Sequence, residues 1–215
     1  MATAFGRRQA MQAGALMAGG YIVGQVLRRN APIGRDVGPA ASSIDFEEGS
    51  PIDGPIGASL RLVVFSDYRC PACRRAYPAQ AEAVRGDGDV LVVHKEWPIF
   101  GAASEKAASL ALSCVEQGIY SAVHRRLMTD GRAIGDGMLR EIVTSEGGDW
   151  KRATSWMATH DRSTAAQLRA NARQAFAIGL TGTPGFLAGS LLVMGAIEVV
   201  DFKRLFSRAR AHTEV

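Results

Sequence analysis

Cysteine is scarce in this chain of 215 residues: there are three, an odd number, which excludes a framework of several structural disulfides. Acidic residues are missing from the N-terminal stretch, the first being Asp36, whereas Arg7, Arg8, Arg28, Arg29 and Arg35 come before it. Those arginines account for the whole formal charge of +4. With them set aside, no basic stripe interleaved with aromatics remains, and no nucleic-acid partner is expected. A second Cys-x-x-Cys is also missing, and His94, His124, His160 and His212 show no ligand spacing with one another. A zinc site built on Cys70 and Cys73 would therefore have only half of its ligands in view, and no metal is expected. The remaining composition is that of a globular protein, and the length suits one well-buried domain carrying an insertion.

What is present begins with the leader. Arg7-Arg8 precede a stretch from Gln9 to Leu27 without charge, most apolar from Ala13 to Val23. This is the layout of an export signal, a positive region followed by a short apolar one. Gly14, Gly19, Gly20 and Gly24 make it a poor bilayer span against the ~20 apolar residues required, and the arginine pair hints at the twin-arginine route. Residues 1–29 are thus expected to be an export signal or, if uncut, an N-terminal anchor. Gly38-Pro39-Ala40 offers a small-x-small cleavage pattern. The expected location is periplasmic or otherwise extracytoplasmic, an oxidising setting in which disulfides persist. Residues 30–52, with Pro32, Pro39 and Pro51, read as a linker, and 53–215 as the folded domain.

Cys70-Pro71-Ala72-Cys73 carries the chemistry. It follows an apolar strand, Leu60 to Phe65, and opens a helix-compatible stretch from Arg74 to Val84 that Pro78 is expected to kink. Unpaired backbone N–H groups and the helix dipole at that position favour a thiolate at Cys70, and Cys73, one turn further in, can close the pair. Arg69, Arg74 and Arg75 push in the same direction, whereas Ala72, supplying neither a donor nor a charge, is expected to raise the Cys70 pKa and make the disulfide less oxidising, and neither effect decides the direction of electron flow. Cys114 lies in an apolar helical face and reads as a buried small hydrophobe.

Beyond the site, Val90 to His94 is a second apolar strand, giving a parallel βαβ unit. Helices are expected from a Ser104 cap to Gln117, then over Tyr120 to Met128, Asp136 to Ser145, Trp150 to His160 and Thr164 to Ile178, with Asp149 and Asp161 as caps. Trp97, Trp150, Trp156 and Phe176 are expected in the core. A hairpin follows, Pro184 to Ala188 and Leu191 to Met194, and then a last helix from Val200 to Ala211 with Phe202, Leu205, Phe206 and Ala209 on one face. Asp67 is expected to cap the turn into the cysteine helix, with proton transfer to Cys73 as the alternative. Lys95 and Glu96 read as exposed charges at a strand end, with a buffered pair near the thiols as the alternative.

The run Phe65-Ser66-Asp67-Tyr68-Arg69-Cys70-Pro71-Ala72-Cys73, the segment Cys114 to Tyr120 with His124, and Gly179-Leu180-Thr181-Gly182-Thr183-Pro184-Gly185-Phe186 together resemble the DsbA-like branch of the thioredoxin superfamily. The resemblance implies an α/β thioredoxin fold with an all-helical insertion, about 102–178, between its βαβ and ββα units. It also implies a cis bond before Pro184, facing the sulfurs and keeping metals off them. Substrate contacts would come from Thr183, Pro184, Pro71 and Ala72. The implied activity is that of an exported thiol–disulfide oxidoreductase without cofactor, a monomer acting on reduced or misoxidised exported proteins and regenerated by a membrane quinone-linked partner. Strongly oxidising members of that branch place His before the second cysteine, where this chain has Ala72. The expected role is oxidase. An isomerase or reductase is the alternative, and a structural zinc-binding module a remote one.

Overall fold

A computed structural model of the chain describes residues 16–17, 19–21, 31–44 and 49–213. The chain divides into two units, Met1–Ile33 and Gly34–Val215. In the first, Leu16, Met17, Gly19, Gly20 and Tyr21 are helical; the rest of the expected export segment lies outside the described residues. Among the described residues no helix is long and apolar enough to cross a membrane.

The second unit is built on β3 (Leu60–Ser66) and β4 (Val90–Glu96), a parallel pair in which Leu60 faces Val90 and Ser66 faces Glu96. All seven residues of β4 are buried, and every residue of β3 except Arg61. A continuous apolar run instead of alternation is what a strand covered on both faces requires. Helix α1 (Pro71–Asp87) makes the crossover and contains Pro78 without being interrupted by it. The hairpin of β5 (Gly185–Ala188) and β6 (Leu191–Met194) adds antiparallel to β3, with Phe65 opposite Gly185. Helix α7 (Val199–Thr213) packs Phe202, Leu205, Phe206 and Ala209 inward, and Phe202 meets Phe186 edge to face at 4.8 Å.

Between β4 and β5 lie five helices: α2 (Ala102–Ser113), α3 (Tyr120–Thr129), α4 (Asp136–Ser145), α5 (Trp150–Thr159) and α6 (Asp161–Ala177). They enclose a second core in which Leu110, Val123, Leu127, Leu139 and Ile142 surround Cys114. This is the expected thioredoxin architecture with its all-helical insertion.

The expected linker is part of the sheet. Strand β1 (Arg35–Asp36) pairs with β6, and β2 (Ile52–Asp53) pairs with β4, so that the strand order is β1-β6-β5-β3-β4-β2. A 3-10 turn over Gly38–Ser43 leads to Ile44, which is buried against Val63, Phe65 and Leu187. Short two-residue pairings leave almost no periodicity to detect, and the prolines and glycines serve edge strands and tight turns. Gly54, at φ +104°, closes β2 where any side chain would collide with the Val90 carbonyl.

Three other expectations fail locally. Ser104 does not cap α2, which starts after Gly101; its hydroxyl goes to Asp67 at 2.8 Å. Asp161 sits inside the first turn of α6, preceded by His160, whereas Asp149 caps α5 as expected by accepting from Lys151 N and Arg152 N. Trp97 is core, Trp150 and Trp156 are half-buried, and Phe176 is 63% exposed, its ring edge-on to Trp97 at the rim.

Candidate active site

Cys70 is the N-cap of α1, with φ −71° and ψ 116°, and Pro71 fills the first helical position, where a missing N–H costs nothing. The Cys73 backbone N–H donates to Cys70 Sγ at 3.3 Å, so sulfur takes the place that a capping oxygen has elsewhere. Both sulfurs are free thiols, each cysteine only 3% exposed. Pro71 is exposed, Ala72 half-buried. The Thr183–Pro184 bond is cis, as the resemblance implies. Thr183 O lies 3.3 Å from Cys70 Sγ and accepts from its neutral thiol. The Thr183 hydroxyl is buried without a hydrogen bond of regular geometry, and toward either sulfur it favours the thiolate.

These contacts separate the two thiols. A hydrogen bond from the Cys73 thiol is the largest influence on Cys70; together with Thr183 and the N–H groups of Cys73 and Ala72 it outweighs desolvation and lowers the Cys70 pKa to about 6. Cys73 is pushed up, first because its proton is committed to Cys70 and then by burial. The opposite directions of the two shifts favour charge on Cys70 and the proton on Cys73. The Arg69 guanidinium is turned to the Phe100 carbonyl, to which it donates at 2.6 Å. Cys114 lies in the helical core as expected, its thiol raised to about 11 by burial.

Asp67 caps the turn into α1 as expected, through Arg69 N, and its other bonds leave no lone pair for proton transfer. It is fully buried, and its carboxylate accepts from Arg69 N at 2.7 Å, Ser104 Oγ at 2.8 Å, Ile99 N at 2.6 Å and Phe100 N at 3.0 Å. Four donors converging from three segments tie the cysteine turn to the start of the helical insertion.

Lys95 and Glu96 are each 1% exposed, contrary to the expectation of solvated strand-end charges, because the helical insertion covers this end of β4. Lys95 Nζ donates to Ser50 Oγ at 3.2 Å. Glu96 Oε1 accepts from Tyr68 Oη at 2.6 Å and Tyr120 Oη at 2.7 Å. With the Tyr68 proton used in this way, His124 Nδ1, 2.8 Å from Tyr68 Oη, must carry its own hydrogen. The His124 ring lies 4.4 Å from that of His94, whose Nε2 is 2.9 Å from Asp53 Oδ2. Burial and Glu96 push both tyrosines well above their ordinary range; burial, then His94, pushes His124 down. Burial would raise Asp53, but His94 and Ser121 outweigh it and hold the acid low. This buried chain of polar groups was not visible in the sequence, since its members are scattered from 53 to 124; the spacing of Tyr120 and His124 at i, i+4 was the one local signal.

A cleft of about 250 Å³ lies where the sheet meets the helical insertion, lined by Trp97, Pro98, Glu105, Leu168 and Arg169. Among the described residues no group of three or more His, Cys, Asp or Glu side chains has the arrangement of a metal site.

The sequence matches the DSBA-like thioredoxin domain over residues 61–207. A thioredoxin-like oxidoreductase from Silicibacter pomeroyi is 30% identical, with a TM-score of 0.73 over 81% of this chain and 98% of its own. A periplasmic thioredoxin-like protein from Salmonella enterica serovar Typhimurium is 26% identical, with a TM-score of 0.72 over 80% and 96%. The thiol-disulfide exchange protein alpha-DsbA2 from Wolbachia pipientis shares the fold, at 22% identity and a TM-score of 0.72 over 79% and 95%. No curated protein sequence matches significantly. A match covering more than half the chain, on a fold that sets Cys-x-x-Cys at a helix start against a cis-proline, leaves one assignment: this chain belongs to the DsbA-like thioredoxin family of thiol–disulfide oxidoreductases.

Proposed function

We propose that the protein is an exported disulfide donor. The observation that carries this reading is the position of Cys70 Sγ at the N-cap of α1, 3.3 Å from the Cys73 backbone N–H, surroundings that favour the thiolate and lower its pKa to about 6. A stabilised thiolate in the reduced form makes the disulfide easier to reduce, and hence a stronger oxidant, than one made from ordinary thiols.

In the oxidised enzyme a substrate thiolate attacks Cys70 Sγ. The Cys70–Cys73 bond breaks as the substrate–Cys70 bond forms, and the electron pair goes to Cys73. A second substrate thiolate then attacks the substrate sulfur of the mixed disulfide, and Cys70 leaves as a thiolate, which its surroundings favour at neutral pH. Two electrons have passed from substrate to enzyme. The Thr183 backbone adjoins the sulfur that exchanges, and Thr183, Pro184, Pro71 and Ala72 are the residues against which substrate backbone is placed. Export rests on the leader composition of residues 1–29 and on the periplasmic Salmonella relative. A monomer reoxidised by a membrane quinone-linked partner completes the cycle.

The test is transfer of the disulfide to a reduced, unfolded protein. Cys70→Ser loses transfer altogether, and Cys73→Ser, offered a substrate that already carries a disulfide, is trapped as a mixed disulfide through Cys70, because no second enzyme thiol is left to resolve it. Transfer that persists in Cys70→Ser overturns the assignment of the exchanging sulfur. Reshuffling of a scrambled protein without net oxidation would instead favour the isomerase reading, for which Ala72 in place of a basic residue is the motivating feature.

A further inference from the structure

The bonds of Asp67 exceed what closing its own turn needs. That turn is already closed by the backbone, Cys70 N donating to Asp67 O at 3.1 Å, and the end of the strand by Trp97 N donating to Ser66 O at 2.9 Å. Burying a carboxylate is costly unless donors replace water, and here two of the four donors come from Ile99 and Phe100. Arg69 completes the grip: its guanidinium donates to Phe100 O, so the Phe100 peptide groups are held at N–H by Asp67 and at C=O by Arg69. What this held segment presents is apolar. Ile99 is 42% and Phe100 43% exposed, large hydrophobic side chains kept at the surface by the two residues that lead into Cys70.

We propose that Asp67, assisted by Arg69, is a positioning residue for reaction with protein substrates: it fixes Ile99 and Phe100 relative to Cys70, so that apolar side chains of an unfolded polypeptide pack there while the substrate sulfur reaches Cys70. The inference rests on the reading of Cys70 as the exchanging sulfur. A small thiol has no apolar chain to place and does not need the held segment; an unfolded protein does.

Asp67→Asn puts an amide where at least one pair of donors now meets carboxylate oxygen. Kinetics are compared for a reduced, unfolded protein and for glutathione, in the full-length chain. The expected result is a KM for the protein raised roughly tenfold, the loss of about one apolar side chain's worth of contact, with the glutathione rate falling by a much smaller factor. Amide hydrogen exchange at Ile99 and Phe100 accelerates in the same variant. Arg69 is exposed, so Arg69→Met leaves the core alone and should raise the same KM by a smaller factor, with Arg69→Lys restoring it in part. Should Asp67→Asn fail to fold, Arg69→Met carries the decision alone. Equal losses with protein and glutathione, or faster exchange at Ile99 and Phe100 with an unaltered KM, overturn the inference while leaving Cys70 in its role. A wild-type protein that exchanges with neither thiol overturns both.

Discussion

The backbone N–H of Cys73 points at Cys70 Sγ from 3.3 Å, and the Cys73 thiol donates to the same sulfur. One residue thus supplies two donors to the sulfur that must carry charge. This relationship, more than any cationic side chain, sets the reactivity of the pair, and it makes the two cysteines chemically unequal before any substrate arrives.

Iodoacetamide should therefore distinguish them. Alkylation of the reduced protein is expected at Cys70, with a rate that rises with pH and reaches half its plateau near the Cys70 pKa of about 6, while Cys73 and Cys114 stay unmodified at neutral pH. Mass spectrometry of the labelled peptides against pH reads this directly. A midpoint near the ordinary thiol value of 9.0 would contradict the capping account.

The same shift appears in stability. An unfolded reduced chain keeps a proton on Cys70 up to its ordinary value of 9.0, whereas the folded one has released it by about 6. The resulting stabilisation is complete above the unfolded value, grows across that window, and is lost as pH falls through the folded one. The opposite shift of Cys73 acts only once unfolded thiols ionise, above this window. Denaturation midpoints of the reduced protein should accordingly rise from pH 6 to pH 8 relative to the oxidised protein, which has no thiol proton at the pair. Parallel curves for the two forms would count against a depressed Cys70.

Tyr120→Phe removes one of the two hydroxyl donors to Glu96 Oε1, on a carboxylate whose Oε2 has no hydrogen-bond partner among the described residues. Withdrawing a donor from a buried charged acceptor is expected to cost about 1–3 kcal/mol, measurable by urea denaturation. Tyr120 touches neither sulfur, so the alkylation profile of Cys70 should be unchanged. A shift of that profile would link the buried network to the thiols.

Much of this arrangement was legible in order along the chain. The apolar runs Leu60 to Phe65 and Val90 to His94 announced strands covered on both faces, and the inward face of α7 followed from Phe202, Leu205, Phe206 and Ala209 alone. The thiol pair was legible too, because a helix start and a Cys-x-x-Cys coincide in sequence. What escaped depends on distance. Pairing of Arg35–Asp36 and Ile52–Asp53 with the sheet takes two residues each, too few for a period, so the segment passed for a linker. Ser104 had a plausible local capping role but is taken by Asp67 across the fold, and the reach of Asp67 beyond its own turn, to Ile99, Phe100 and Ser104, left no local trace. Glu96 and Lys95 looked solvated because nothing in their neighbourhood shows that the helical insertion will cover them.

The most direct test of the account is the reduction potential of the Cys70–Cys73 pair, by equilibration with glutathione buffers. A disulfide donor with a thiolate favoured at Cys70 should lie nearer the value of a strong oxidant, about −120 mV, than that of thioredoxin, about −270 mV. A value at or below the thioredoxin figure would contradict the donor reading and make the protein a reductant instead.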